Sequence, residues 1–339
     1  MIKSVFKDIV YKNEFLSFVL ITALGVSFSI ANPVFFSIIN IFDLLKMSVL
    51  PGIFACAVMI VLISGGIDMS FLWIGMFAAY STSKALSILQ TNTGFVMPLL
   101  YVFLISMAIG TILGSFNAML VSKFDIPVFI ATLSSANIFM GIMFQFVGSE
   151  YIFPEQMPRK MIDFSNTLLF ARPSADGTMV GLHVSVVITI AAMLITHLIL
   201  KYTMIGRSIY ALGGDASSAE RIGLNLTKVR MFIYMFAGTI AGLAGIISVS
   251  NIQVANPFDF QGRELMVISA VVIGGTKITG GGGSVIGVVL GVLLTNIIYQ
   301  NLVLVGIRPE YNKFVFGILI IFATIVQSLQ EKYKDRKVR

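Results

Sequence analysis

The chain has 339 residues, of which 57% are hydrophobic and only 12% are Asp, Glu, Lys or Arg, and its mean hydropathy is +0.94. An average soluble domain carries roughly 25% charged residues, so a soluble enzyme or a soluble nucleic-acid-binding domain is excluded. One Cys and two His beside a net charge of +7 leave no disulfide framework and no Cys- or His-based metal site to build.

The first twelve residues are basic and lead into an apolar run over 15–30. No small-residue cleavage site follows, and more apolar runs do, so this reads as an uncleaved first span and not a signal peptide. Apolar runs and their breaks predict about ten spans of about 20 residues, over 15–36, 45–64, 71–88, 97–120, 127–147, 182–200, 229–249, 264–279, 285–305 and 312–328. The expected fold is an all-α polytopic membrane protein, a single transmembrane domain over 1–339, in which 71–88 and 264–279 are short or broken.

Charge orients these spans. With the N-terminus inside, most of the 23 basic residues fall on cytoplasmic segments, including the basic tail 329–339, so both termini are expected in the cytoplasm. The positive charge is then a topology signal and a lipid-bilayer signal. No nucleic acid partner is expected, because the basic residues form no aromatic-interleaved patch.

Along the chain, Ser64-Gly65-Gly66-Ile67-Asp68-Met69-Ser70 interrupts the apolar pattern after the second span. A carboxylate at such depth must face protein or water; Asp68 either caps the next helix or borders a solute path, and the Gly65-Gly66 pair allows the sharp turn both roles need. Asn117 is placed to cross-link neighbouring helices, while Lys123 and Asp125 read as interfacial. Glycine pairs at Gly110/Gly114, Gly238/Gly242 and Gly287/Gly291 put small residues on one helical face and predict close helix packing.

Two polar loops stand out. The first, 148–181, is expected outside, as a partner contact or as a cover over the bundle. The second, 201–228, is expected in the cytoplasm, where Ser217-Ser218-Ala219-Glu220 has capping-box spacing and predicts a short helix beginning near Ser217. So short a helix needs a surface to dock against. His183 reads as interfacial and His197 as a packed helix residue. Cys56 reads as a small buried residue. Near the eighth span, Arg263 and Glu264 are expected to form an ion pair, or else Gln261 and Glu264 line a path. The run from Gly274 to Ser284 lacks the Gly-Lys-Ser/Thr ending of a phosphate loop, so its glycines serve a hairpin or a backbone crossing and ATP is bound by another protein.

These landmarks, in their order, resemble the permease subunits of the monosaccharide ABC importers, the ribose, xylose, galactose and galactofuranose branch of the branched-chain amino-acid and sugar permease superfamily. The resemblance rests on Gly65-Gly66-Ile67-Asp68-Met69-Ser70, Gly114-Ser115-Phe116-Asn117, Ile126-Pro127, Gly206-Arg207 through Gly213-Gly214, Ala219 with Gly223, Glu264-Leu265, Gly274-Gly275-Thr276 and the glycines from Gly280 to Gly287. It implies a type II importer permease of the bacterial inner membrane, not an enzyme. Its implied partners are cytoplasmic ATPase subunits carrying ATP and Mg, a second permease copy or paralogue, and an external sugar-binding protein. The chain itself holds no cofactor and no metal.

The coupling loop is implied to include Gly206, Arg207, Gly213, Gly214, Asp215, Ser217, Glu220, Arg221 and Gly223. Asp68, Ser70, Asn117, Thr132, Gln261 and Glu264 are candidate pathway or gate residues. Gly65, Gly66, Gly274, Gly275, Gly280, Gly283 and Gly287 are expected to be structural. The alternative is a self-contained secondary transporter or channel for a small polar solute, which needs a coupling-ion site and no ATPase.

Overall fold

The protein is described here from a computed structural model, which describes residues 13–31, 33–173, 179–304, 308, 311 and 313–325. The expectations for the first twelve residues and for the tail 329–339 lie outside the described residues. In chain order come α1 (Asn13–Ala31), α2 (Ile38–Met47), α3 (Val49–Ile63), α4 (Phe71–Thr93), α5 (Leu99–Lys123) and α6 (Val128–Ile142), which a π turn extends over Met143–Val147. A short α7 (Arg159–Ser165) and strands β1 (Leu168–Pro173) and β2 (Met179–His183) follow. The rest comprises α8 (Val184–Tyr202), α9 (Met204–Gly214), α10 (Ala216–Arg221), α11 (Leu226–Ile252), α12 (Glu264–Ile273), α13 (Val285–Leu304) and α14 (Lys313–Ile325).

Helix α3 has apolar or small residues on every side, the pattern of a helix with no solvent face, and it forms the centre of the bundle. Every residue of α3 except Leu50 is buried, and so is most of α11, whereas most of α5 is not. Glycines let α11 sit backbone to backbone on its neighbours. A Cβ on Gly110 or Gly114 would collide with the carbonyls of Gly238 or Tyr234, and one on Gly245 with the carbonyl of Gly75. The close approach is stitched by Ser106 Oγ donating to the Gly242 carbonyl at 2.8 Å and by Thr111 paired with Thr239 at 2.6 Å.

The same turn ends α3 and α12. The Gly65 amide donates to Leu62 O at 2.9 Å and that of Gly66 to Val61 O at 3.1 Å; Gly275 and Thr276 repeat the pattern on Val272 O and Val271 O at 2.9 and 3.2 Å. Both Gly65 (φ +86°) and Gly275 (φ +92°) take the left-handed backbone that closes a helix in this way.

Several expectations are corrected. Among the described residues, five helices are long and apolar enough by length and composition to cross a membrane: Ile38–Ile63, Leu99–Lys123, Val128–Val147, Val184–Tyr202 and Leu226–Ile252. That is fewer than the ten expected, because α12 stops at the Gly274 turn and α4 carries too many polar residues towards Thr93. The short antiparallel hairpin, with Leu168 opposite His183 and Leu169 opposite Leu182, was not anticipated. His183 is buried, not interfacial. Arg263 pairs with Asp259 at 3.0 Å, one turn earlier, and not with Glu264. Cys56 is buried, as its surroundings in α3 require.

Residues 148–173 and 179–181 pack as a cap on one end of the bundle. Met161 and Phe164 of α7 are buried, and Phe164 meets Phe103 edge-on at 5.4 Å. His183 caps α8: its Nδ1 accepts from the Ser185 amide at 3.1 Å, so Nε2 carries the proton and donates to Ser165 O at 3.0 Å.

Candidate functional site

The segment between α3 and α4 is non-helical, and its polar groups turn inward. One Asp68 carboxylate oxygen accepts from the Ser70 amide and from the Ser70 hydroxyl, both at 2.6 Å. It thus takes up an amide at the start of α4, whose own cap residue, Ser70, makes no side-chain cap bond. The Ser70 hydroxyl in turn accepts from Asn117 Nδ2 at 2.7 Å, and Asn117 Oδ1 accepts from Ser135 Oγ at 2.5 Å. Thr132 Oγ1 accepts from the Met69 amide at 3.0 Å and donates to Val128 O at 2.9 Å.

Asp68, Ser70, Asn117 and Ser135 therefore form one chain of hydrogen bonds, and Thr132 adds a separate bond to the Met69 amide; together they tie α4, α5 and α6 to the break. All five are buried. Ser135 was not singled out from sequence, although it stands three residues after Thr132 on the same helical face. Gln261 and Glu264 do not join this group. Gln261 is exposed and Glu264 opens α12, which at 1.5 Å per residue puts it about 15 Å along the axis from the Gly274 turn.

The glycines converge. Gly281 N donates to Ile63 O at 2.8 Å, and Tyr210 Oη of α9 donates to Gly283 O at 2.8 Å. A Cβ on Gly280 would fall 2.6 Å from Gly213 O and 2.8 Å from Gly65 Cα; one on Gly213 would overlap Ile63 O. The α3–α4 turn, the end of α9 and the α12–α13 turn thus meet backbone to backbone. Gly274 and Gly287 make the crossing where α12 meets α13, and Gly66 packs on Val128, 2.9 Å from a Cβ placed there.

Beside this junction opens a cavity of about 370 Å³, lined among others by Ser64, Asp125, Leu212, Arg230, Tyr234 and Thr279. Arg230 Nη1 donates to Asp125 Oδ1 at 3.1 Å and ties the start of α11 to the α5–α6 turn. Sequence reading placed Asp125 at an interface without finding this partner, 105 residues away.

Segment 201–228 forms two short helices. Thr203 caps α9, accepting from the Gly206 amide at 3.1 Å. The expected box at Ser217 and Glu220 is not what caps α10. Asp215 does so from two residues earlier, its Oδ1 accepting from the Ser217 and Ser218 amides at 2.9 and 3.2 Å. The Ser217 and Ser218 hydroxyls also donate to the carboxylate, at 2.7 and 2.8 Å, and together these bonds hold it well below the usual carboxylate range, at about 2. Arg221 folds back over the helix, with Nη2 3.1 Å from Ser218 Oγ. Arg207, Gly214, Glu220, Arg221, Ile222 and Gly223 are exposed, whereas Gly206 is buried against the end of α8. Among the described residues no group of His, Cys, Asp and Glu is arranged to hold a metal.

Comparison with known proteins decides the class. Residues 40–324 match the family model described as branched-chain amino acid transport system / permease component. The chain belongs to this permease family of ABC importers. It is similar to the ribose import permease protein RbsC of Haemophilus influenzae, 30% identical over 312 residues that cover 92% of each chain. RbsC of Bacillus subtilis is 31% identical, covering 88% of this permease and 87% of that protein. The fructose import permease protein FruG of Bifidobacterium longum is 32% identical, covering 81% of this permease and 78% of that protein. No solved structure matches. The permease is thus a multi-pass membrane transport subunit and not an enzyme.

Proposed function

We propose that this chain is the membrane conduit of an ATP-driven importer for a neutral monosaccharide, working by alternating access. Its relatives with the names above are import permeases for ribose and fructose, and they align over most of both chains. The observation that carries the mechanism is the α9–α10 unit, exposed at its tip yet held through Gly213 against the turns that end α3 and α12.

In this reading α10 docks on a cytoplasmic ATPase subunit, where ATP and Mg are bound, and a second permease copy or paralogue and an external sugar-binding protein complete the assembly. The shorter helices α1, α12, α13 and α14, with α4, join the five long spans to give about ten crossings, with both termini in the cytoplasm and 148–181 outside. The Arg230–Asp125 pair is then on the cytoplasmic side, close to the docking helix. Asp68, Ser70, Asn117 and Thr132 hold the broken α3–α4 segment in shape, and the solute is met elsewhere.

Two measurements test this reading. Purification of tagged protein from membranes in mild detergent is expected to bring down a stoichiometric ATPase whose activity one sugar-loaded binding protein stimulates; a stable, transporting chain without an ATPase favours the secondary transporter. Replacing Glu220 and Arg221 with Ala is expected to lower sugar uptake by about tenfold while the ATPase still turns over. Normal uptake would remove α10 from the coupling role.

A further inference from the structure

Among the described residues, helices α5, α6 and α8 each leave one face uncovered. On α5 that face carries Leu100, Leu104 and Ile112, and on α8 it carries Ile190, Leu194 and Leu198. Such faces suit hydrocarbon. The uncovered face of α6 is different, because its centre carries Ser134, Asn137, Gly141 and Gln145, all exposed. Spacings of three and four residues align them in one stripe, while Thr132 and Ser135 on the opposite face are buried in the network described above.

The stripe is not satisfied internally. Asn137 Nδ2 donates to Leu133 O at 2.8 Å, but among the described residues the side chains of Ser134 and Gln145 make no hydrogen bond. A polar side chain left in lipid without a partner costs several kcal/mol. Gly141 is equally telling. Whereas Gly110, Gly114 and Gly238 are required by backbones pressed against them, a Cβ on Gly141 would meet nothing, so its missing side chain leaves room for something outside the chain. Gln145 lies in the π turn Met143–Val147, closed by Gly148 N donating to Met143 O at 2.8 Å, a distortion often found at functional positions.

We propose that the Ser134–Asn137–Gly141–Gln145 face of α6 borders the water-filled path of the transported solute and supplies the groups that hydrogen-bond it in passing. The stripe runs about 16 Å along the axis, half of a hydrocarbon core of about 30 Å. It carries no charge, and its amides both donate and accept, which suits a neutral, hydroxyl-rich solute and gives no deep trap for an ion. The identity of the solute rests on the sugar-importer reading; the water-lined face does not.

The test uses the single native cysteine to advantage, since Cys56 is buried in α3 and the unmodified chain serves as the blank. Single variants S134C, N137C, Q145C, L104C and L194C are treated, in the assembled complex in membrane vesicles, with a charged methanethiosulfonate that does not cross lipid. The stripe cysteines are expected to react about tenfold or more faster than those at 104 and 194, because the reactive thiolate forms only where water reaches it. Asn137→Leu and Gln145→Leu are expected to lower uptake about tenfold at unchanged protein level, with Asn137→Gln closer to the parent. Stripe cysteines as inert as the two controls would overturn the proposal, and so would full uptake by both leucine variants. If the unmodified complex takes up no sugar in the presence of ATP, the importer reading fails by itself, and the labelling contrast still decides whether the face meets water.

Discussion

The two ends of the bundle are built by opposite means. Where α9 and α10 sit, main chain touches main chain: Gly213 lies against Ile63 O and Gly281, and Gly280 against Gly65 and Gly213. At the other end, residues 148–173 and 179–183 make one main-chain bridge, Ile152 with Ala255, and are otherwise held by side chains, with Tyr80 Oη donating to Glu150 O at 2.8 Å, the Arg159 amide donating to Gln90 Oε1 at 3.0 Å, and Phe164 edge-on to Phe103. Side chains have rotamers in which to absorb a displacement, and backbones in contact have none. On the proposed coupling role, a movement imposed on α10 would pass through Gly213 to the α3–α4 turn and its buried network, whereas the cap would repack with less effect on the spans.

The largest predicted effect breaks the backbone junction. Gly213→Val inserts three carbons where even one has no room, and is expected to destabilise the protein by about 3 kcal/mol or more, seen as loss of a monodisperse peak in detergent and a lowered melting temperature. The adjacent Gly214→Val is the control, since nothing lies within contact distance of a Cβ there, and it is expected to leave the melting temperature within error. Equal damage from both would show that glycine matters here for chain freedom and not for contact.

A smaller effect separates buried from exposed polar groups on adjoining spans. Asn117→Ala removes the link between Ser70 and Ser135 and is expected to cost about 1 to 2 kcal/mol, less than the same loss in a soluble core because the unfolded chain in a membrane also finds partners. Asp68→Asn keeps an acceptor for the Ser70 amide and is expected to cost about 1 kcal/mol or less. Asn137→Ala on the uncovered face of α6 is expected to leave stability unchanged. Thermal unfolding of the purified variants ranks the three, and a destabilised Asn137→Ala would show that its face is packed against protein.

The sequence made the membrane class, the broken α3–α4 segment and the role of the paired glycines legible, because each depends on local pattern: apolar runs, a Gly-Gly pair, a four-residue repeat. It also named four candidate path residues, Asp68, Ser70, Asn117 and Thr132, that the fold brings together around the break. Whether Asp68 faces solute or the start of α4 depends on the rotation of α5 and α6 about it, and with hydrophobic residues on all sides of these spans no amphipathic signal reports that rotation. The Arg230–Asp125 pair and the convergence of Gly65, Gly213 and Gly280 depend on contacts more than 60 residues apart, which no local motif encodes. At Ser217 and Glu220 a capping box was present in spacing, but Asp215 is the stronger competitor, offering one carboxylate to two amides and two hydroxyls.

The smallest predicted effect sharpens the same contrast by pH. Burial, then the positive charge of Lys46, push the His183 pKa below its usual value of 6.5. The unfolded cap therefore takes up a proton that the folded cap resists, so stability contributed by His183 is present above the usual histidine value and is lost as pH falls below it. Protonation also removes the Nδ1 lone pair that accepts from the Ser185 amide. Asp215 behaves in the opposite sense and in another window. Its carboxyl is held at about 2, so the α10 cap is present above the usual carboxylate range and is lost only as pH falls towards that value. Between about pH 7.5 and about pH 5.5 the cap should loosen and α10 should not. Hydrogen exchange of α7 and the hairpin against α10, corrected for the intrinsic rate at each pH, measures the difference, and His183→Gln should abolish it. Loosening of α10 in that same window would mean that the two ends are coupled, against the independence that their separate construction implies.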